Sequence, residues 1–314
     1  MIMDLISLLN LSVRLAGPVL LVALGGVFAS RVNIFNLALE GFMLMGAFSS
    51  IVGAYITRSI GGGILAAALI SMALILIYAV FIFEWKVDPT ICAIAVITIS
   101  SGLTRYLLIP IFGVTGRYIL PQEFALPTLS LPLLERIPVL GAALSGHSAL
   151  IYLALLMPFL LHFLLYRTRF GLSVRAVGLN SEVAASAGIS VKRTRYIALA
   201  LNGILCGLAG AQLALSLNMF NVGMTNGRGF TALAAITLTR AEPIPTLLVC
   251  LLFGFAEAVV LALSGRGYSV HILSMLPYFL ALAAAIIPPV VRLAVHRSRK
   301  AAAERRTMEQ YRQR

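Results

Sequence analysis

The chain has 314 residues, 60% of them apolar and only 11% charged, with a mean hydropathy of +0.99. An average globular domain carries about 25% charged residues, and a water-soluble fold of this length could not bury so much apolar surface. A soluble enzyme, a disordered chain and a disulfide-stapled secreted module are therefore excluded, and a polytopic all-α transmembrane protein is the expected class. The net charge is +13, from 24 Lys and Arg against 11 Asp and Glu, and the pI is near 10.3. These basic residues lie in short loops between apolar runs and in the C-terminal stretch, as the positive-inside rule expects, so nucleic acid is not expected as a partner.

Eight long apolar runs fall at about 13–30, 41–57, 62–83, 90–111, 148–166, 196–217, 244–264 and 270–291. Each is long enough to cross about 30 Å of hydrocarbon at about 1.5 Å per residue. A shorter run at about 228–240, opened by Gly227, Gly229 and Phe230, reads as a further crossing that is tilted or buried among other helices. The expected total is about nine, all within a membrane domain at 1–291, followed by a basic tail at 292–314. No Lys or Arg precedes Arg14 and Asp4 is acidic, so no cleaved signal peptide is expected.

Charge orients the nine crossings. With the N-terminus outside, 17 of the 24 basic residues face inward: Arg31, Lys86, Arg240, six at 167–195 and eight at 292–314. Arg228 falls on the outer side in this scheme. The 112–147 loop is then extracytoplasmic, and its Pro121, Pro127, Pro132 and Pro138 make it too irregular for lipid. It reads as a lid, a docking surface or a plain connection.

The inner loop at 167–195 carries a short helix. Asn180 or Ser181 is a fitting N-cap, Glu182 suits the positive helix start, alanines follow, and Gly188 supplies a left-handed stop. The result is about two turns over 181–187, flanked by basic residues. Its small side chains would seat in a groove of another protein, or it would rest on anionic lipid as an ordinary loop helix.

Polar groups inside apolar runs are costly and usually face protein or a wet cavity. Glu40 opens the second run after Asn33 and Asn36; it is either a polar contact in a path or a helix-start residue held by backbone N–H groups near the inner boundary. Glu257 lies inside a late run and reads as an interhelical hydrogen-bond partner, protonated or not, or as a ligand contact. Asn202 and Gln212 are about 80° apart on a helix and Gln212 and Asn218 about 120°, so the three do not form one stripe. Gly203, Gly207 and Gly210 allow close helix approach, static or moving.

Chemistry of its own is not expected of this chain. The only lysines, Lys86, Lys192 and Lys300, do not follow glycine, so a phosphate-binding P-loop is missing and ATP with magnesium would have to sit on another chain. There is no His-Glu-x-x-His or Gly-x-Ser-x-Gly, and His147, His162, His271 and His296 are isolated. Cys92, Cys206 and Cys250 lie inside apolar runs, far apart, so neither a metal cluster nor a disulfide frame is expected. No catalytic residue, bound cofactor or metal is expected.

Four motifs in order resemble the permease subunits of nucleoside-type ABC importers, within the ribose and branched-chain amino-acid permease class. The stretch 32–48, VNIFNLALEGFMLMGAF, looks like that family's VNIGLEGMMLIGAF signature. RAVG at 175–178 with the alanines at 184–185 and AGI at 187–189 resembles its coupling loop, and GRGFTALAA at 227–235 and LFGFAEA at 252–258 resemble two further signatures. One departure is visible: where the family usually has glycine and tryptophan before a proline, this chain has Thr239, Arg240, Ala241 and Glu242 before Pro243.

The resemblance implies a membrane subunit that pairs with a paralogous permease. It also implies ABC ATPase subunits on the inner face and an extracytoplasmic substrate-binding lipoprotein. The setting would be a bacterial cytoplasmic membrane with the C-terminus inside. The coupling segment would comprise Gly178, Asn180, Ser181, Glu182, Ala184, Ala185, Gly188 and Ile189. A path for a flat base and a polar ribose needs apolar or aromatic walls and a few hydrogen-bonding groups. Phe35, Asn36, Glu40, Phe42, Asn218, Phe220, Asn221 and Glu257 are the candidates. The substrate is expected to be a nucleoside or similar polar molecule; riboflavin, a sugar, or an ion-coupled secondary transporter are the alternatives.

Overall fold

The structure is a computed structural model, and it describes residues 2–124, 126–129 and 145–264. The expected run at 270–291, the tail at 292–314 and the centre of the 112–147 loop lie outside the described residues. Ten helices follow in chain order: α1 (Ile2–Arg31), α2 (Leu39–Thr57), α3 (Ile60–Phe83), α4 (Pro89–Phe112), α5 (Ala149–Arg167), α6 (Arg169–Leu179), α7 (Ser181–Ser186), α8 (Val191–Leu217), α9 (Arg228–Leu238) and α10 (Pro243–Ser264). Seven of the described helices are long and apolar enough to cross a membrane: α1 to α5, α8 and α10. The all-α polytopic class therefore stands; seven of the about nine expected crossings are found among the described residues, and the expected run at 270–291 lies outside them.

Local signals start and stop these helices. Asp88 caps α4 by accepting from Thr90 N (2.8 Å) and Ile91 N (3.2 Å), with Pro89 in the first turn. Gly113, at φ 69°, ends it in the left-handed region. At the same end, β1 (Arg117–Ile119) pairs antiparallel with β4 (Met219–Asn221), with Tyr118 opposite Phe220, and β2 (Thr128–Leu129) pairs with β3 (His147–Ser148).

The bundle is built around α1, α2 and α8, which bury most of their length. Around them α3, α4, α5 and α10 turn apolar side chains outward, among them Leu65, Ile77, Ile91, Ile94, Phe159, Phe163 and Leu248. Such an apolar rim suits lipid, where a helix keeps its own backbone polar groups hydrogen-bonded. Helix α8 meets α2 and α3 through glycine. A Cβ on Gly207 would lie 2.3 Å from the Ala67 carbonyl oxygen, one on Gly210 2.3 Å from the Met43 carbonyl oxygen, and one on Gly46 2.7 Å from Gly207 Cα. The glycines thus serve backbone-to-backbone packing.

Two segments depart from simple spans. Ser71, halfway along α3, donates its hydroxyl to the Phe42 carbonyl (2.9 Å), so α2 begins about halfway across the bundle. Helix α9 has 11 residues, about 16 Å at about 1.5 Å per residue, roughly half of a hydrocarbon core. The run at 228–240 is therefore a half-helix. Its far end lies beside Arg31 at the basic end of the bundle, where the Arg31 Nε donates to the Ala241 carbonyl (3.0 Å). Residues 222–227 form a turn between β4 and α9 without helix.

Candidate functional site

The N-terminal ends of α2 and α9 meet at one carboxylate. Asn36 Oδ1 accepts from Ala38 N (2.9 Å), which turns the chain into α2. Glu40, in the first turn, is buried. Its Oε1 accepts from Gly227 N (2.9 Å) and its Oε2 from Gly229 N (2.7 Å), so it caps α9 across 187 and 189 residues of chain. A negative charge at a helix N-terminus satisfies otherwise orphaned donors and the helix dipole together. Gly229 is required for the approach, since a Cβ there would sit 2.4 Å from Glu40 N. Glu40 is thus held by backbone N–H groups, but by those of a distant helix and halfway across the bundle rather than near its inner boundary.

Arg228, between those two glycines, pairs with Glu257 of α10. The pair places an arginine inside the bundle where charge counting put it on the outer side. It also gives Glu257 an interhelical partner. Beside this junction Phe35 is 58% exposed, whereas Asn36 is 3% exposed and its Nδ2 has no acceptor among the described residues.

The other path candidates are elsewhere. Phe42 is fully buried, edge-on to Tyr78, and Phe220 is fully buried, edge-on to Phe48. Asn218 caps α8 at φ 54° and donates Nδ2 to the Leu120 carbonyl (2.6 Å), and Asn221 is exposed in β4. The structure brings Phe35, Asn36, Glu40 and, through Arg228, Glu257 together. It sets Asn218, Phe220 and Asn221 at the end opposite Arg31, where Asn221 pairs with Arg117 across the ribbon.

At the basic end, Thr168 Oγ1 accepts from Gly171 N (3.1 Å) and starts α6. Asn180 Oδ1 accepts from Glu182 N (3.0 Å) and Val183 N (3.1 Å), which ends α6 and starts α7 in one residue. Gly188, at φ 81°, stops α7, and Ile189 N returns to the Ala184 carbonyl (3.0 Å). The helix covers Ser181–Ser186, one residue short of the expected 181–187. Ala184 and Ile189 pack toward the bundle, while Glu182, Val183 and Ala185 are exposed. Gly178 fixes the arm: a Cβ there would lie 2.0 Å from the Arg31 carbonyl oxygen.

Among the described residues no group of three His, Cys, Asp or Glu is placed to hold a metal. What the arrangement offers is mechanical: an exposed two-turn helix at one end and a polar junction of two helix starts midway. The junction's partners escaped sequence reading because they lie far apart in the chain. The one local signal was the pair of glycines flanking Arg228.

Residues 8–287 match the family described as branched-chain amino acid transport system, permease component. The chain is 32% identical over 271 residues to the guanosine ABC transporter permease protein NupQ of Bacillus subtilis, covering 82% of this chain and 84% of that one. It is 33% identical over 245 residues to the nucleoside ABC transporter permease protein NupC of Lactococcus lactis, covering 76% of each. It is 32% identical over 260 residues to TsgC13 of Haloferax volcanii, an ABC transporter permease provisionally named for glucose, covering 81% of this chain and 77% of that one. The chain belongs to the branched-chain amino acid transport system permease family and is a membrane-spanning permease component.

Proposed function

We propose that this permease carries nucleosides through an ATP-driven importer of the cytoplasmic membrane. The observation that carries the coupling half of this reading is α7: a helix capped at both ends by Asn180 and Gly188, exposed at the basic end, on a chain with no phosphate-binding loop. ATP and magnesium would be held by the ATPase subunits, and this chain would bind no cofactor and do no catalysis. Glu182, Val183 and Ala185 would enter the ATPase groove, with Gly178, Ser181, Ala184 and Ile189 seating the arm. A second, paralogous permease would complete the conduit, a binding lipoprotein would deliver substrate at the end of the β ribbons, and lipid would cover the rim. The basic end would face the cytoplasm, as would the tail at 292–314.

The substrate half rests on NupQ and NupC, named for guanosine and nucleosides. The walls of the path would be Phe35, Asn36, Glu40 and Glu257, with Phe42, Asn218, Phe220 and Asn221 reached as the assembly changes state. TsgC13 supports a second reading, a sugar. The deciding experiment reconstitutes permeases, ATPase and binding protein in proteoliposomes and follows labelled guanosine. ATP-dependent uptake competed by nucleosides and untouched by glucose is expected; competition by glucose alone would replace the nucleoside with a sugar.

A further inference from the structure

Four segments converge at the basic end: the last turns of α1 and α5, helix α6, and the 239–242 turn between α9 and α10. One guanidinium nitrogen of Arg31 donates to the Tyr166 hydroxyl (3.0 Å) and pairs with Glu242 (2.5 Å), while its Nε donates to the Ala241 carbonyl (3.0 Å). The Tyr166 hydroxyl donates to Glu242 (2.6 Å and 2.7 Å to its two oxygens). Arg175 of α6 stands over the Tyr166 ring, 4.8 Å from its centroid, and Gly178 holds α6 against the Arg31 carbonyl. The turn itself is unusual: Arg240 and Ala241 both take left-handed backbone, at φ 54° and 56°. Non-glycine residues persist there only where surrounding contacts over-determine them, and here the distorted turn aims the Ala241 carbonyl at Arg31.

We propose that Arg31, Tyr166 and Glu242 are positioning residues, forming the joint through which displacement of the α6–α7 arm reaches α9. The proposal rests on α7 being the ATPase-driven helix. Apolar side chains alone could slide past one another, but charge-assisted hydrogen bonds on a shared phenol are directional and resist it. Movement of α6 would carry Tyr166 through Arg175, and Tyr166 would carry Glu242 and the turn. Helix α9 is a short rod from that turn to the Glu40 junction, so its far end would shift where Phe35 and the Arg228–Glu257 pair lie. The ordinary alternative is that the cluster only ties off polar groups at the end of the bundle.

The two differ in a measurement that needs no substrate. In the complete transporter, an Ala234→Cys reporter on the exposed face of α9 is labelled with a maleimide, with and without ATP plus vanadate; the native cysteines are buried. We expect nucleotide to change the labelling rate. In Tyr166→Phe and Glu242→Gln the change should shrink by about fivefold or more, the low end of ordinary coupling effects, while ATP hydrolysis persists. Glu242→Asp should restore it. An unaltered nucleotide response in both variants, no response in the unmodified background, or a parallel fall of hydrolysis, stability and response would each overturn the proposal. If Glu242→Gln does not assemble, Tyr166→Phe decides, since it removes one hydroxyl. Glu182→Arg is the reference: if it leaves the response intact, the reading of α7 fails, whereas loss there with intact cluster variants sinks only the joint.

Discussion

Two carboxylates carry much of the internal order, each for a different reason. Glu40 spends both oxygens on backbone donors, Gly227 N and Gly229 N, that open α9 inside the bundle. Replacing it with alanine leaves two donors without an acceptor, at about 1–3 kcal/mol each. Glu40→Ala should lower the unfolding temperature of the purified permease clearly, and Glu40→Gln, which keeps one acceptor, by roughly half as much; a wild-type melting curve for Glu40→Ala would refute the capping role. Glu242 is different because its partners are side chains. Burial pushes its carboxyl up, but hydrogen bonds from Tyr166 and Arg31 and the charges of Arg31 and His162 outweigh that and hold it below the usual carboxylate range. A lowered folded value means a contribution fully present above the unfolded value of about 4.3 and lost as pH falls through the folded one. Between about pH 5 and pH 3 the wild type should therefore lose more thermal stability than Glu242→Gln; equal losses would detach the carboxylate from the cluster.

Elements with local signals were legible in the sequence. The apolar runs marked the long helices, and Asn180, Glu182 and Gly188 marked α7 to within one residue. A prediction follows at this scale. Proline cannot take Gly188's φ of 81°, and Glu182→Arg reverses the charge on the exposed face. Each variant should keep assembly and ATP hydrolysis while uptake collapses, measured on the same proteoliposomes; full uptake in both would remove α7 from the coupling role. The depth at which α2 and α9 begin was not legible, and the reason is physical. Hydropathy reports whether a segment sits in apolar surroundings, not how deep it starts. Helix α2 begins midway because Phe42 bonds Ser71, and α9 begins midway because Glu40 bonds it, and both contacts are tertiary. The Arg228–Glu257 pair hid for a related reason: charge counting assigns a lone arginine to a loop unless its carboxylate is known.

Across the whole molecule, the glycine contacts decide which parts can move. Gly46, Gly207 and Gly210 set α2, α3 and α8 backbone against backbone, with hypothetical Cβ atoms at 2.3 to 2.7 Å from neighbouring main chain. Surfaces packed that closely have no room to slide, so these three helices must travel as one body. At the end away from Arg31, the β1–β4 ribbon extends that body, joining the chain after α4 to the chain after α8 with Ile119 opposite Met219. If a permease with this core switches access, it does so by moving whole subunits, their α6–α7 arms and the α9 rod, not by parting this ribbon. Opposed positions of an antiparallel pair lie within disulfide reach, so Ile119→Cys with Met219→Cys gives a direct check. Oxidised, the double variant should retain its uptake in the assembled transporter, with the crosslink confirmed by mass spectrometry. Loss of uptake on oxidation, restored by reductant, would show that the ribbon itself opens.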